Sequence, residues 1–394
     1  MLALHTHAKV AGRFPAYPLK ILDLTEALAT TLARTRVAAK LPSGYSVDLG
    51  ALAMLGFAGV VAETAPGSEP PLPVLHSAGD PAVVDTGDVI QIRSGGSQVR
   101  VLFRRRSSSN SLFVTERCNS LCLMCSQPPR ETDDNWRIDE LKDIVDLIDP
   151  TVSTIGITGG EPTLLGHRLA ELLSHMHHSL PNTQIHVLTN GRLFADRALV
   201  ELFEGLQGYV TWGIPVYADV PAVHDYVVQA HGAFFETLEG IYNLAGSRHA
   251  IEIRYVLHKQ TMARIRQFAE FVSRNMPFSS HVAFMGLEPM GFAKMNRALL
   301  WVDPVEYVQD LRFAVNWLDR AGVPTSIFNL PLCILQHDLW RFARKSISDW
   351  KRMYLPACER CEVRNQCGGF FRSSGSNWQS LAISPVTTCD RGNS

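Results

Sequence analysis

The chain has 394 residues, enough for one large domain and one or two smaller ones. Its 37 basic and 38 acidic side chains leave a net charge of −1, which argues against a general polyanion binder and so against a nucleic-acid partner. No apolar stretch reaches the ~20 residues of a membrane span, and Lys9, Arg13 and Pro15 interrupt the apolar residues that a signal peptide would need unbroken. The expectation is a soluble, cytoplasmic protein with no membrane partner. In that reducing compartment clustered cysteines point to metal before disulfides.

Residues 1 to about 108 carry the weakest signals. Helical spacing runs from Leu24 to Ala39, a Pro-rich loop spans Pro66 to Pro73, and period-two alternation marks strands at Gly87 to Arg93 and Val99 to Phe103. Together they predict a small α+β or β-rich accessory domain over 1–108. It either holds a peptide partner or covers one end of the next domain. Arg104, Arg105 and Arg106 suit a phosphate contact or a solvated strand end, and Ser107 to Ser111 reads as a junction.

From 109 to about 325 strands alternate with helices. Strands are expected at 112–115, 152–158, 184–189, 209–216, 251–257 and 281–286. Helices are expected at Arg137 to Ile148, His167 to Ser179, Ala195 to Leu206, Ala233 to Ala245, Thr261 to Arg274 and Pro304 to Ala321. Six strands each followed by a helix predict an α/β fold with a parallel sheet and right-handed crossovers, either open or curled into a partial barrel. In both cases sites lie at the carboxyl ends of the strands.

The polar motifs follow that rule. After the first strand come Cys118, Cys122 and Cys125. Three thiolates hold three irons of a cubane cluster and leave the fourth iron open to a ligand, whereas structural zinc would need a fourth donor from elsewhere. The second strand leads into Gly159, Gly160, Glu161 and Pro162. Two glycines allow close backbone approach and positive φ, and the carboxylate accepts from an amine; an ordinary Gly-rich turn accounts for the same residues. Thr189, Asn190 and Gly191 follow the third strand, where they present hydroxyl and amide groups to a ribose or carboxylate. Leu287 lies in the polar turn after the sixth.

Eight cysteines are divided between this first group and the tail, with none from 126 to 332. Cys358, Cys361, Cys367 and Cys389 form a second metal-grade set. Four thiols suit closed tetrahedral zinc as well as a fully ligated cluster. Cys333 stands outside both sets.

The cysteine motif with Gly-Gly-Glu-Pro and Thr-Asn-Gly resembles the radical S-adenosylmethionine (radical SAM) superfamily. That resemblance implies a partial (β/α)6 TIM-like barrel over 109–325. It makes Cys118, Cys122 and Cys125 ligands of a [4Fe–4S] cluster whose open iron binds S-adenosylmethionine through its amino and carboxylate groups. Gly159, Gly160, Glu161 and Pro162 would receive the amino group. Thr189 and Asn190 would lie near the methionine or ribose, and Met124 and Leu287 near adenine. An arginine common to related enzymes is missing from the loop at His224 and Asp225, so Arg254 is the substitute candidate for the carboxylate. An internal salt bridge is its other role. In the family one electron from the cluster gives a 5′-deoxyadenosyl radical, which removes a hydrogen atom from the substrate.

The tail, with Cys358, Cys361, Cys367, Gly368, Gly369, an aromatic residue and then Cys389, resembles the SPASM/twitch-type extension. It implies an auxiliary [4Fe–4S] cluster over 326–394 and a peptide or protein substrate. Flavodoxin or ferredoxin would be the electron donor, and a partner maturase could join it. The stretches around Cys118–Pro129 and Gly286–Ala293 resemble the maturases of the His-Xaa-Ser peptide system. A cross-link within the peptide is the hypothesis from the wider class. The alternatives are a sulfatase-type maturase and a non-enzymatic zinc scaffold. No catalytic acid or base is named by the sequence. Tyr217, His224 and Asp225 follow the fourth strand within reach of a substrate. His175, His177, His178, Trp301, Trp317 and Trp340 are assigned to surface or packing.

Overall fold

A computed structural model describes residues 5–42, 44, 47–76, 84–92 and 98–387. Two compact units emerge: Met1–Leu112 with Asn135–Gly156 and Glu171–Gln184, and Phe113–Asp134 with Ile157–Ala170 and Ile185–Ser394.

The first unit is built on an eight-stranded mixed sheet. Its strands are β1 (His5–His7), β2 (Lys9–Ala11), β3 (Leu19–Asp23), β4 (Val37–Lys40), β5 (Gly59–Ala62), β6 (Val74–His76), β7 (Val89–Ile92) and β8 (Gln98–Phe103), in the order β1-β8-β7-β3-β4-β5-β6-β2. The run from β3 to β6 is parallel, while β7 joins β3 antiparallel and β2 joins β6 antiparallel. Parallel neighbours need crossovers, and the helices Leu24–Ala29 and Leu49–Met54 supply two of them. Period-two alternation sends Leu19 and Ile21 into one apolar cluster and Leu22 into another, so both faces of β3 are buried.

The helix expected from Leu24 to Ala39 stops at Ala29. Asp23 caps its start through a 2.8 Å bond from the Glu26 amide, and Thr30 is already extended at φ −67° and ψ 145°. Beyond it a 3-10 turn at Arg34–Arg36 leads into β4, because the short buried apolar run Val37–Ala39 satisfies a strand as readily as a helix and the β-branched Val37 favours extension. The arginine run is consumed by ion pairs. Arg104 is buried against Asp88 at 3.4 Å, Arg105 pairs with Glu26 and Asp149, and Arg106 pairs with Asp85. Arg93, the expected end of one strand, lies outside the described residues.

The second sheet curls into a half-barrel with its strands in chain order. They are β9 (Ser111–Phe113), β10 (Thr154–Thr158), β11 (Gln184–Leu188), β12 (Val210–Pro215), β13 (Ala250–Leu257), β14 (His281–Gly286), β15 (Thr325–Phe328) and β16 (Ala343–Arg344). From β11 to β16 each strand pairs parallel with the next. On β13 the odd positions Ile251, Ile253, Tyr255 and Leu257 are buried, and the Tyr255 ring lies tilted against Phe268 of the covering helix Ile265–Asn275, with centroids 4.2 Å apart. The even positions Glu252 and Arg254 therefore occupy the opposite, concave face. β15 and β16 were not expected, since four and two residues are too short to show a period. β17 (Arg352–Met353) pairs antiparallel with β18 (Phe370–Phe371) in the tail. Among the described residues no helix is long and apolar enough to cross a membrane.

Candidate cluster and cofactor site

The cysteine loop leaves β9 and is anchored at its root by a buried acid. Asp134 accepts from the Thr115 hydroxyl at 3.1 Å and the Glu116 amide at 2.6 Å, and its carboxylate lies 3.5 Å from Arg117 Nε. Further along, the Leu121 and Leu123 amides donate to the carbonyls of Val228 and Val227, and Asn296 Nδ2 donates to the Leu123 carbonyl at 2.8 Å. The Phe292 amide then donates to the Cys125 carbonyl at 2.8 Å. Gly291 has φ +54°, and a Cβ there would stand 2.5 Å from that carbonyl, so only glycine fits.

Gly159 and Gly160 are required by the approach of this loop. A Cβ on Gly159 would lie 2.6 Å from the Thr115 carbonyl oxygen; one on Gly160 would lie 2.1 Å from the Arg117 oxygen and 3.1 Å from Cys118 Cβ. The Gly160 and Glu161 amides donate to those same carbonyls at 2.8 Å each. Neither glycine has positive φ, which corrects that part of the expectation. The close approach is of chain to chain, and it locks the two motifs in register.

Glu161 joins the second and third motifs. Its side chain is fully buried. Oε1 accepts from the Thr163 amide at 2.9 Å, the Thr163 hydroxyl at 2.6 Å and the Thr189 hydroxyl at 2.6 Å; Oε2 accepts from the Asn190 amide at 2.6 Å. Burial raises its pKa against the pull of these donors. Pro162 opens the short turn Pro162–Leu165 that Glu161 caps. Asn190 Nδ2 also donates to Asn119 Oδ1 at 2.6 Å, beside Cys118 in the chain. Gly191, at φ +77°, turns the chain.

Several supporting residues escaped the motif reading. Arg192 donates to the Asn119 carbonyl, the Ser120 hydroxyl at 3.0 Å and Glu236 at 2.6 Å, so one guanidinium holds the cysteine loop to the helix Ala233–Gly246. Its position directly after Thr-Asn-Gly was the available signal. Met124 is buried in an apolar cluster with Tyr217, Val227 and Ala293, against which Leu287 also packs. The two residues expected near adenine therefore share one neighbourhood. Asp225 caps the helix Ala233–Gly246 through the Gly232 and Phe234 amides at 2.7 and 2.8 Å. His224 Nδ1 accepts from the Tyr217 amide at 3.2 Å, and burial holds its pKa down to about 4.

Arg254 forms an internal pair. Its guanidinium meets Glu252 at 2.6 Å and Met285 Sδ at 3.0 Å. Glu252 also accepts from His281 Nδ1 at 2.8 Å. Burial alone would raise the pKa of Glu252, but the His281 hydrogen bond and the Arg254 charge bring it down to about 2.

The thiols of Cys118, Cys122 and Cys125 lie within electrostatic reach of one another. Burial pushes Cys118 up to about 11 and raises the other two, so each must shed a reluctant proton before ligating metal. An all-thiol set of three suits an iron–sulfur cluster with one open iron. Among the described residues no three His, Cys, Asp or Glu side chains stand close enough to hold a single metal ion. In the tail, Cys367 is buried and its sulfur accepts from the Leu332 and Gly369 amides at 3.4 Å each, while Cys361 accepts from the Val386 amide at 3.4 Å. Cys358 is half-buried, and Cys389 lies outside the described residues.

Residues 112–272 match the family model of the Radical SAM superfamily. Over that segment the match bears out the resemblance carried by the cysteine, Gly-Gly-Glu-Pro and Thr-Asn-Gly motifs. The family uses a [4Fe–4S] cluster and S-adenosylmethionine. No curated protein matches the chain. Among similar solved structures is SuiB from Streptococcus suis bound to S-adenosylmethionine, with 16% identity and a TM-score of 0.45 over 58% of this chain and 51% of that one. Another is anSMEcpe with bound AdoMet and Cp18Cys peptide, with 14% identity and a TM-score of 0.48 over 71% and 92%. A third is coproporphyrinogen III oxidase (HemN) from Escherichia coli, with 16% identity and a TM-score of 0.43 over 54% and 52%. The chain spans about half the length of the SuiB structures it matches.

Proposed function

We propose that this chain, with its radical SAM segment at 112–272, is a radical enzyme that modifies a ribosomally made peptide or a protein side chain by hydrogen abstraction. The observation that carries the proposal is the buried Glu161, whose carboxylate ties the Gly-Gly-Glu-Pro turn to Thr189 and Asn190 while the turn's backbone grips the cysteine loop. Cys118, Cys122 and Cys125 would hold the [4Fe–4S] cluster. Bound together, cluster and S-adenosylmethionine supply one-electron cleavage of the sulfonium and a carbon-centred radical oxidant.

This chain's own residues hold and orient. Gly159, Gly160, Glu161 and Pro162 position the backbone for the amino group, Thr189 and Asn190 the next portion of the molecule, and Met124 and Leu287 the apolar edge for adenine. Arg254 would have to leave Glu252 to grip a carboxylate. The tail, with Cys358, Cys361, Cys367 and Cys389, is proposed to carry the auxiliary cluster, which takes the electron left on the substrate or passes one in. Residues 1–108 are the proposed accessory domain, 109–325 the core and 326–394 the auxiliary-cluster domain.

The motif resemblances support a His-Xaa-Ser repeat precursor as substrate and a cross-link as product, with a flavodoxin or ferredoxin as donor. Anaerobically purified protein is expected to be brown, to hold about eight irons per chain and to form 5′-deoxyadenosine with dithionite. Two zincs and no iron would end the proposal. A precursor that loses two hydrogens supports the narrower substrate reading, and an unchanged precursor mass with rapid S-adenosylmethionine cleavage counts against it.

A further inference from the structure

The first unit contains a cavity of about 440 Å3 that none of the motifs above reaches. All its lining residues belong to that unit. One wall comes from β3, where Lys20 and Leu22 share the face opposite Leu19 and Ile21. The helix Leu24–Ala29 adds Glu26, and the segment after it adds Thr30, Thr31 and Leu32. Another wall is the end of the helix Arg137–Val145 and the chain that leaves it, with Val145 and Ile148. Leu22, Val145 and Ile148 are buried, so the cavity has an apolar body. Its volume falls in the range of about 300–1,000 Å3 that small-molecule sites occupy.

Lys20 is out of place in this setting. β3 lies between β7 and β4, and its partners at Lys20 are Val89 and Val37. Lysine is almost never fully buried unless it is paired. Lys20 is only 8% exposed, yet its amine makes no hydrogen bond or ion pair with a described residue. An ammonium held out of water needs acceptors, and the cavity is the space from which they can come.

Glu26 is the complementary group. Its carboxylate lies 3.6 Å from Arg105, which in turn reaches Asp149 at 3.2 Å, and Oε2 is buried without a hydrogen bond. Asp146, the other acid on the lining, is already engaged. Its Oδ1 lies 2.7 Å from His175 Nε2 and accepts from the Ser179 hydroxyl at 3.5 Å. One cation without an acceptor and one carboxylate with an oxygen to spare therefore line a single cavity beside an apolar wall.

We propose that this cavity binds a free α-amino acid with an apolar side chain. The ligand's carboxylate pairs with the Lys20 ammonium and its own ammonium with the Glu26 carboxylate, while its side chain lies on Leu22, Val145 and Ile148. The pattern selects a zwitterion. A simple anion brings nothing to Glu26, and a simple amine leaves Lys20 unpaired. Binding is non-covalent. The site lies wholly in the first unit, so it stands or falls apart from the radical chemistry proposed above.

The test titrates L-leucine and L-phenylalanine into the full chain by isothermal calorimetry. Beside them run L-leucinamide, which lacks the carboxylate, and 4-methylpentanoate, which lacks the amine. Saturable binding of both amino acids at millimolar concentration is expected. Each truncated analogue should bind about 10- to 100-fold more weakly, the worth of one charged hydrogen bond. Lys20→Met keeps an unbranched chain and is expected to weaken L-leucine by the same factor. It should also raise the urea midpoint without ligand, since an unpaired buried ammonium is removed. Glu26→Gln is expected to weaken L-leucine but not 4-methylpentanoate. Equal binding of all four compounds, binding of L-leucine that survives both substitutions, or no saturable binding overturns the proposal. So does a lowered urea midpoint in Lys20→Met, which would show that the amine has a structural partner. Should a variant misfold, hydrogen exchange on the unmutated chain decides the matter. L-leucine is expected to protect peptides covering 20–32 and 145–150, and protection found only elsewhere overturns the assignment.

Discussion

The Glu161→Gln substitution isolates the joint between the second and third motifs. The amide oxygen can take the place of Oε1 and keep the three donors there, from the Thr163 amide, the Thr163 hydroxyl and the Thr189 hydroxyl. Its nitrogen must then face the Asn190 amide, which lies 2.6 Å from Oε2. Donor meets donor, and a buried N–H is left unpaired. A hydrogen bond to a charged group contributes about 1.5–3 kcal/mol, and every 1.4 kcal/mol is a factor of ten. The Asn190 amide is therefore expected to exchange hydrogen roughly 10- to 100-fold faster in the variant, measured by mass spectrometry on peptides covering 185–195. Peptides from the first unit's sheet serve as the unchanged reference. Iron bound at the cysteine loop is expected to persist, because the main-chain bonds from Gly160 and Glu161 to Thr115 and Arg117 do not involve the side chain. Unchanged exchange at Asn190 would refute the claim that Glu161 holds the Thr-Asn-Gly turn.

Three other outcomes follow from the same geometry. Gly160→Ala places a methyl 2.1 Å from the Arg117 carbonyl; iron analysis is expected to show loss of the first cluster with the tail's iron kept, and full iron content would contradict the close approach. Arg192→Ala removes charged donors from the Asn119 carbonyl and Ser120, and iron should leave to a chelator roughly tenfold faster. Burial holds His224 down to about 4 and His258 down to about 3, against ~6.5 unfolded. Between those values the unfolded chain binds protons that the native one refuses. Each histidine's contribution is thus complete above pH ~6.5 and falls by about 1.4 kcal/mol per pH unit on acidification. The urea midpoint should drop from pH 7 to pH 5, and a flat profile would show that these rings are protonated in the fold.

The barrel was legible because a parallel sheet buries both faces of its strands, so six apolar runs separated by helical periods stand out in the chain. The same rule located the motifs at strand ends without any coordinates. What escaped was short or ambiguous. β15 and β16 are too brief for periodicity, and the segment that became β4 satisfies two templates. The signal for Arg192 was its place after Thr-Asn-Gly, and an arginine after a turn is ordinary until its three partners are known.

The three thiols at Cys118, Cys122 and Cys125, the Gly-Gly-Glu-Pro turn and the tail's cysteine run were determined by the sequence alone, because spacing along a chain limits which donors can reach one centre. Tertiary structure decided what those donors meet. The two glycines turned out to serve contact with the cysteine loop, with no need of positive φ. Arg254 was placed on Glu252, and the Leu332 amide was brought to the Cys367 sulfur, distant in the chain. Contacts between residues far apart in sequence depend on how sheets and turns pack, and no local pattern of residues encodes that distance.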